Sequence, residues 1–226
     1  MTIAIDGGAE SNQSAAVTSI SVSLSTSNTD DMVVVYFMSG SSITATVADT
    51  AGLTWTKRLS STGGQAFVVY CWTAKAASAL SSDSITVTLS AANNCALGAF
   101  GISGLNTSSP FDPNSSVPVL SAASSVTSKS NTISTTDADD IILNFIGLNS
   151  VSTTITPTSG FTEITAASPS PSSANLGFNI YYEIVSAVQS GISVGATWTT
   201  SAYGYAETDA LTSTASAAYT SLLLAC

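Results

Sequence analysis

The side chains of this chain repeat with a period of two. Ser19-Ile20-Ser21-Val22-Ser23-Leu24 and Ser84-Ile85-Thr86-Val87-Thr88-Leu89 alternate strictly between hydroxyl and aliphatic residues. In an extended backbone successive side chains point to opposite faces, so such a segment has one apolar face and one wet face. The three- and four-residue spacing of an amphipathic helix is almost nowhere found. Met32 to Met38 and Ile141 to Ile146 are nearly continuous apolar runs, the signature of central strands covered on both faces. Val, Ile, Thr, Tyr and Phe dominate these segments and suit a pleated surface. The expected fold class is all-β.

The alternating segments occur twice in the same order. Asp30-Asp31-Met32-Val33-Val34 has a counterpart in Asp139-Asp140-Ile141-Ile142-Leu143. Gly52-Leu53-Thr54 corresponds to Gly160-Phe161-Thr162, and Phe67-Val68-Val69-Tyr70 to Phe178-Asn179-Ile180-Tyr181. Ser84 to Val87 matches Gly191 to Val194, and the glycine-rich Leu97 to Ile102 matches Tyr203 to Ala206. The separations hold near 107 to 111 residues, a domain-scale duplication rather than a solenoid repeat.

Between the halves lies Asn106-Thr107-Ser108-Ser109-Pro110-Phe111-Asp112-Pro113, then Pro118 and a serine-rich stretch to Ser130. Proline removes a ladder donor and serine favours turns, so residues 107–130 are expected to connect the halves. The organisation expected is an arm over 1–16, a first half over 17–106 and a second half over 131–226. Two small sandwiches or one merged jelly-roll-like sandwich both satisfy the repeat. The merged form over 17–226 is favoured because Val117, Val119 and Leu120 give the connector its own apolar alternation.

Composition narrows the chemistry. The 226 residues contain no histidine, and the cations are Lys57, Arg58, Lys75 and Lys129. Nucleophilic serine needs a positioned base, and no Ser-x-x-Lys precedes any lysine. No cofactor motif is present. A net charge of −10 repels nucleic acid, whose binders cluster Lys and Arg, and disfavours anionic membranes. Met1 to Glu10 lacks the basic and apolar regions of a secretory signal, and no apolar run reaches a membrane span. Cys71 and Cys95 sit in apolar surroundings and read as small hydrophobes. Cys226, the last residue, is the candidate for an intermolecular disulfide.

Other candidates each carry a plainer reading. Glu163, Glu183 and Glu207 belong to the second half alone and could pair for glycoside hydrolysis, yet acids on exposed strands give the same pattern. Asp30-Asp31 and Asp137-x-Asp139-Asp140 could offer hard oxygens to Ca²⁺. Neither has EF-hand spacing, and aspartate before a strand is ordinary turn chemistry, so no metal is expected. Tyr203 and Tyr205 share a face and could stack on a sugar ring, although core packing is the usual role of such rings. Lys57-Arg58 is the adjacent basic pair and could meet a carboxylate on a partner subunit.

The residues taken together resemble a family. An aspartate turn leads into an apolar strand, then Gly52-Leu53-Thr54-Trp55-Thr56, then Phe67 to Lys75, then Gly101-Ile102-Ser103-Gly104-Leu105-Asn106 and the Pro-Phe-Asp-Pro connector. This series is similar to jelly-roll surface proteins of tailed bacteriophages and prophages, in which Gly-Trp-Thr is the commoner turn. The resemblance implies a non-enzymatic virion component assembled in the host cytoplasm, most simply a capsid decoration protein. Its partners would be the major capsid protein, or another virion protein, and sister subunits, with a trimer as the natural oligomer. A carbohydrate- or receptor-binding module of a fibre or baseplate, and a self-assembling surface filament subunit, are the alternatives.

Overall fold

The computed structural model describes residues 2–40, 43–61, 67–149, 151–171 and 175–213. Twelve strands and one 3₁₀ turn account for the regular structure among them. The first six are β1 (Ala4–Leu24), β2 (Asp31–Gly40), β3 (Ala45–Ala48), β4 (Thr56–Ser60), β5 (Phe67–Ala76) and β6 (Asp83–Ser103). They are followed by β7 (Val119–Ile133), β8 (Asp139–Leu148), β9 (Ile155–Pro157), β10 (Thr162–Glu163), the 3₁₀ turn Thr165–Ala167, β11 (Gly177–Ser186) and β12 (Ile192–Thr212).

Each half forms its own antiparallel sheet, and the two sheets have the same strand order. The first runs β1-β6-β2-β5-β4 with β3 on β6; the second runs β7-β12-β8-β11-β10 with β9 on β12. The long strands do not stay flat. The β1–β6 ladder loses register between Gln13 and Ser19, and the β12–β7 ladder between Thr197 and Gly204. Irregularities of this kind bend a strand and increase its twist. Beyond the bend, the far part of β1, the near part of β6 and β3 fold over their own sheet. An antiparallel strand pair wound over itself in this way is a jelly roll.

Burial explains why the apolar runs are continuous. On β2, Val33, Val35 and Phe37 face inward to Ile20, Val22, Leu24, Ile85, Val87 and Leu89, the alternating segments read from the sequence. Met32, Val34, Tyr36 and Met38 face the other way and pack on Ile141, Leu143, Phe145, Phe178 and Ile180 of the second half. Tyr36 stacks on Phe145 at 5.0 Å between ring centroids. The central strands are therefore still strictly two-sided, with one face for each of two cores. Smaller clusters around Trp198 and around Val194 fill the second half.

The all-β expectation and the two-half construction hold. The halves stack face to face, but their strands do not interleave, because every ladder joins strands of one half. Among the described residues, cross-half strand pairing is confined to one isolated bridge, Leu105 to Ser213. The expected arm over 1–16 is instead the start of β1, paired with β6 from Ala4 onward. Its small residues suit a close ladder, which is why they look flexible in sequence. The expected connector over 107–130 ends earlier, since β7 begins at Val119. It already carries the start of the second repeat: Phe111 bridges Leu211 as Ile5 pairs with Ile102.

Candidate functional site

Two sets of ionisable side chains are organised beyond what a core requires. The first lies between the halves. Inward positions of β12 are occupied by Glu207 and Asp209, where the same positions of β6 carry Gly98 and Phe100. Both carboxylates are buried, Glu207 completely. Arg58 of β4 crosses from the first half and grips Asp209 with two bonds, Nε to Oδ2 at 2.8 Å and Nη2 to Oδ1 at 2.9 Å. Its guanidinium lies 3.8 Å from the centre of the Phe111 ring. Burial alone would lower the Arg58 pKa, but the Asp209 bonds outweigh it and hold the group charged.

Glu207 has no such cation. Burial, and then repulsion from Asp209, push its pKa up to about 8, with the Tyr36 hydroxyl and Arg58 opposing. Neither carboxyl oxygen has a partner at full hydrogen-bond geometry. A carboxyl in this position is neutral at pH 7. Cys71, buried beside the same acids, is likewise held as a thiol, chiefly by burial and then by its acidic neighbours Glu207 and Asp209. A thiol of that kind is no nucleophile.

The second set is duplicated. Asp6 Oδ2 accepts from the backbone N–H of Ser27 and of Asn28 and from the Asn28 amide, each at 2.8 Å. Asp112 repeats this in the second half: Oδ2 accepts from Thr136 N at 2.7 Å and Asp137 N at 2.8 Å, and Oδ1 from Asn114 N at 2.7 Å. Burial would raise both acids, but these donors prevail and hold each below its ordinary range. Against each stands a completely buried partner, Asp31 or Asp140. Burial first, and then the neighbouring carboxylate, raise both partners to about 7. Two carboxyls in contact share a proton because both cannot be charged at that distance. The pair staples the start of each half to the turn before its central strand.

Most of the residues singled out from sequence have structural tasks. Tyr205 is 1% exposed and donates its hydroxyl to the Phe67 carbonyl of the other half at 2.7 Å. Tyr203 does share its face, but that face is turned to the first half, and its ring meets Phe67 edge-on at 5.3 Å. A sugar-stacking pair at Tyr203 and Tyr205 is thereby corrected to interface packing. Arg58 finds its carboxylate on the other half of its own chain, not on a partner subunit. Lys57 remains exposed, 5.9 Å from the Tyr70 ring centre. Cys71 and Cys95 are buried free thiols. Cys226 lies outside the described residues.

Glu163 and Glu207 do not converge. Glu163 sits on the edge strand β10 and accepts from Asn179, while Glu207 belongs to β12, three strand spacings or about 14 Å across the sheet. A glycosidase pair needs a separation of roughly 5–9.5 Å. Asp6 and Asp112 were missed by the sequence reading. The available signal was an apolar residue, an aspartate and a turn residue at the start of each half, Ile5-Asp6-Gly7 and Phe111-Asp112-Pro113.

Comparison of the chain with protein-family models, with curated sequences and with solved structures yields no match.

Proposed function

We propose that this chain is a non-enzymatic structural component of a tailed-phage virion, acting as a capsid decoration protein that docks on the major capsid protein and on sister copies. One observation carries the reading. Glu207, Asp209, Arg58 and Cys71, all with shifted ionisation, lie between the halves, where they join one jelly roll to the other instead of lining a cleft. Chemistry is spent on rigidity. The resemblance of the turn and strand series to phage surface proteins points the same way.

The outer faces are rich in serine and threonine, and Ile184 and Val188 are the large apolar side chains exposed among the described residues. Docking by such a body depends on hydroxyls, loops and unpaired strand edges, since ion pairs are scarce. Sheet edges are natural templates for another chain. With Tyr205, Trp72, Trp198 and Tyr181 buried, the glycan-module alternative loses most of its aromatic rings. Electron microscopy of particles with and without this protein tests the proposal. Loss of protrusions from the head lattice is expected, and an unchanged capsid surface refutes decoration.

A further inference from the structure

We propose that β4 is a strap that lifts as the pH rises, opening the contact between the halves to water at Glu207. Local opening is drawn from parts of a fold with few buried contacts and exposed ladders. β4 has five residues, stands at the outer edge of its sheet and, among the described residues, pairs with β5 alone. That ladder breaks at a bulge between Lys57 and Leu59. Thr56 and Lys57 are exposed, and Arg58 to Ser60 are only half-buried. The strap is tied to the second half by the two-bond grip of Arg58 on Asp209, with the guanidinium over the Phe111 ring.

What lies under the strap is costly to keep dry. Glu207 is completely buried, and neither of its oxygens has a hydrogen-bond partner. The same position of the first half is Gly98, so no packing need common to both copies explains the acid. The ionisable groups facing it are Asp209 from its own strand, Arg58 from β4, Tyr36 from β2 and Cys71 from β5. Arg58, the one cation of the set, is committed to Asp209. Tyr36 and Cys71 stay neutral, since burial holds both above their ordinary values. Phe145 of β8 and Leu120 of β7, the residues paired with Glu207, bring no charge. A carboxylate here is relieved by water, and β4 is the weakest wall. Leu59 pairs with Cys71, so lifting β4 also uncovers that thiol.

Opening is thereby linked to proton release. The carboxyl titrates at about 8 when covered and near its ordinary 4.5 when wet. The strap is held fully below pH 4.5, opens more easily as pH rises towards 8, and changes little beyond. The open form remains a small fraction, so the thiols are still slow to react in absolute terms.

Thiol labelling of the intact protein from pH 5 to 9, read at each cysteine by mass spectrometry, tests the strap. Dividing each rate by that of urea-unfolded protein at the same pH removes the thiol's own ionisation. Cys95 is the internal control, because it belongs to the first half's own core. Cys71 should label faster than Cys95 and respond little to mild urea, whereas Cys95 waits for global unfolding. From pH 6 to 8 the Cys71 rate should rise about fiftyfold, following one released proton, and in Glu207→Gln it should stay flat. Cys71 no faster than Cys95, or equally sensitive to urea, overturns the proposal, because only global unfolding then exposes it. So does a flat profile in the unaltered protein, or a rise that survives in Glu207→Gln, which would assign the response to Asp31 or Asp140.

Discussion

Glu207→Gln should make the protein more stable at neutral pH. The carboxyl has a pKa of about 8 in the folded chain and 4.5 as its ordinary value. Below pH 4.5 it is protonated in both folded and unfolded chains, and its stability contribution is fully present. As pH rises from 4.5 towards 8, the unfolded chain releases the proton while the folded chain keeps it, so stability falls. Each pH unit in that window costs about 1.4 kcal/mol, which gives about 3 kcal/mol at pH 7 and about 5 kcal/mol beyond pH 8. The amide replaces the neutral acid at nearly the same volume and cannot ionise. Its gain should therefore be about 3 kcal/mol at pH 7 and close to zero at pH 4.5. The groups facing the site, Tyr36 of β2, Cys71 of β5, Arg58 of β4 and Asp209 of β12, are common to both proteins. Asp31, also raised, and Asp6, which is lowered, lie elsewhere and cancel in the comparison. Urea unfolding of both proteins from pH 5 to 9 would show it: stability differences should widen by one proton's slope up to pH 8, with unchanged m-values. Parallel profiles, or a variant that is less stable at pH 8, would refute a buried neutral carboxyl.

Arg58→Ala should cost about 3–5 kcal/mol, since it leaves Asp209 buried without its cation; the double change Arg58→Met with Asp209→Leu should recover most of that loss in the same urea assay. The duplicated carboxyl pair predicts unequal partners. Asp6→Asn loses charge-assisted bonds from Ser27 and Asn28 and should cost about 1.5–3 kcal/mol, whereas Asp31→Asn, whose amide can donate as the shared proton does, should stay within about 1 kcal/mol; equal costs would contradict the proton assignment. Cys71 and Cys95 should resist a thiol reagent in the native protein and react on unfolding, with rapid native labelling at either position arguing against their burial.

Strand content and facing were legible in the sequence because alternation states the face directly. Ile20, Val22 and Leu24, and Ile85, Val87 and Leu89, point into one core as read. Alignment of the halves was legible only to within two residues. The hydrogen-bond registers relate equivalent positions by 109 residues throughout the central strands: Tyr36 pairs with Gly98 and Cys71, and Phe145 with Glu207 and Ile180. Phe67 therefore corresponds to Leu176, and Ile85 to Val194, each displaced by two from the match read in sequence. A slip of two keeps every side chain on its proper face, so an alternating pattern cannot detect it, whereas a slip of one would. The polar set between the halves was hidden for another reason. Arg58 and Asp209 are 151 residues apart, and nothing local in either segment announces the other.

What remains to be explained is how two copies of one strand set form a single stacking rather than several. Both present an apolar inner sheet of similar shape, and an interface of aliphatic residues alone tolerates rotation or sliding by one strand. Two differences between the copies fall on this face. Glu207 and Asp209 replace Gly98 and Phe100, and Gly98 is needed where it is, because a Cβ there would collide with the carbonyl of Ala167 arriving from the other half. Any slide strips Asp209 of Arg58 and leaves a bare charge in the core, a penalty of several kcal/mol. A rotation would separate Tyr205 from the Phe67 carbonyl and Asn94 from Asn175. The register is fixed by penalising alternatives as much as by attraction, the role best attested for buried polar groups. A chain bearing Arg58→Met and Asp209→Leu should thus keep its stability while loosening the fit of one half on the other, read as faster amide exchange along β2 and β12 with the outer sheets unchanged. Equal protection in both proteins would mean that apolar shape alone sets the stacking.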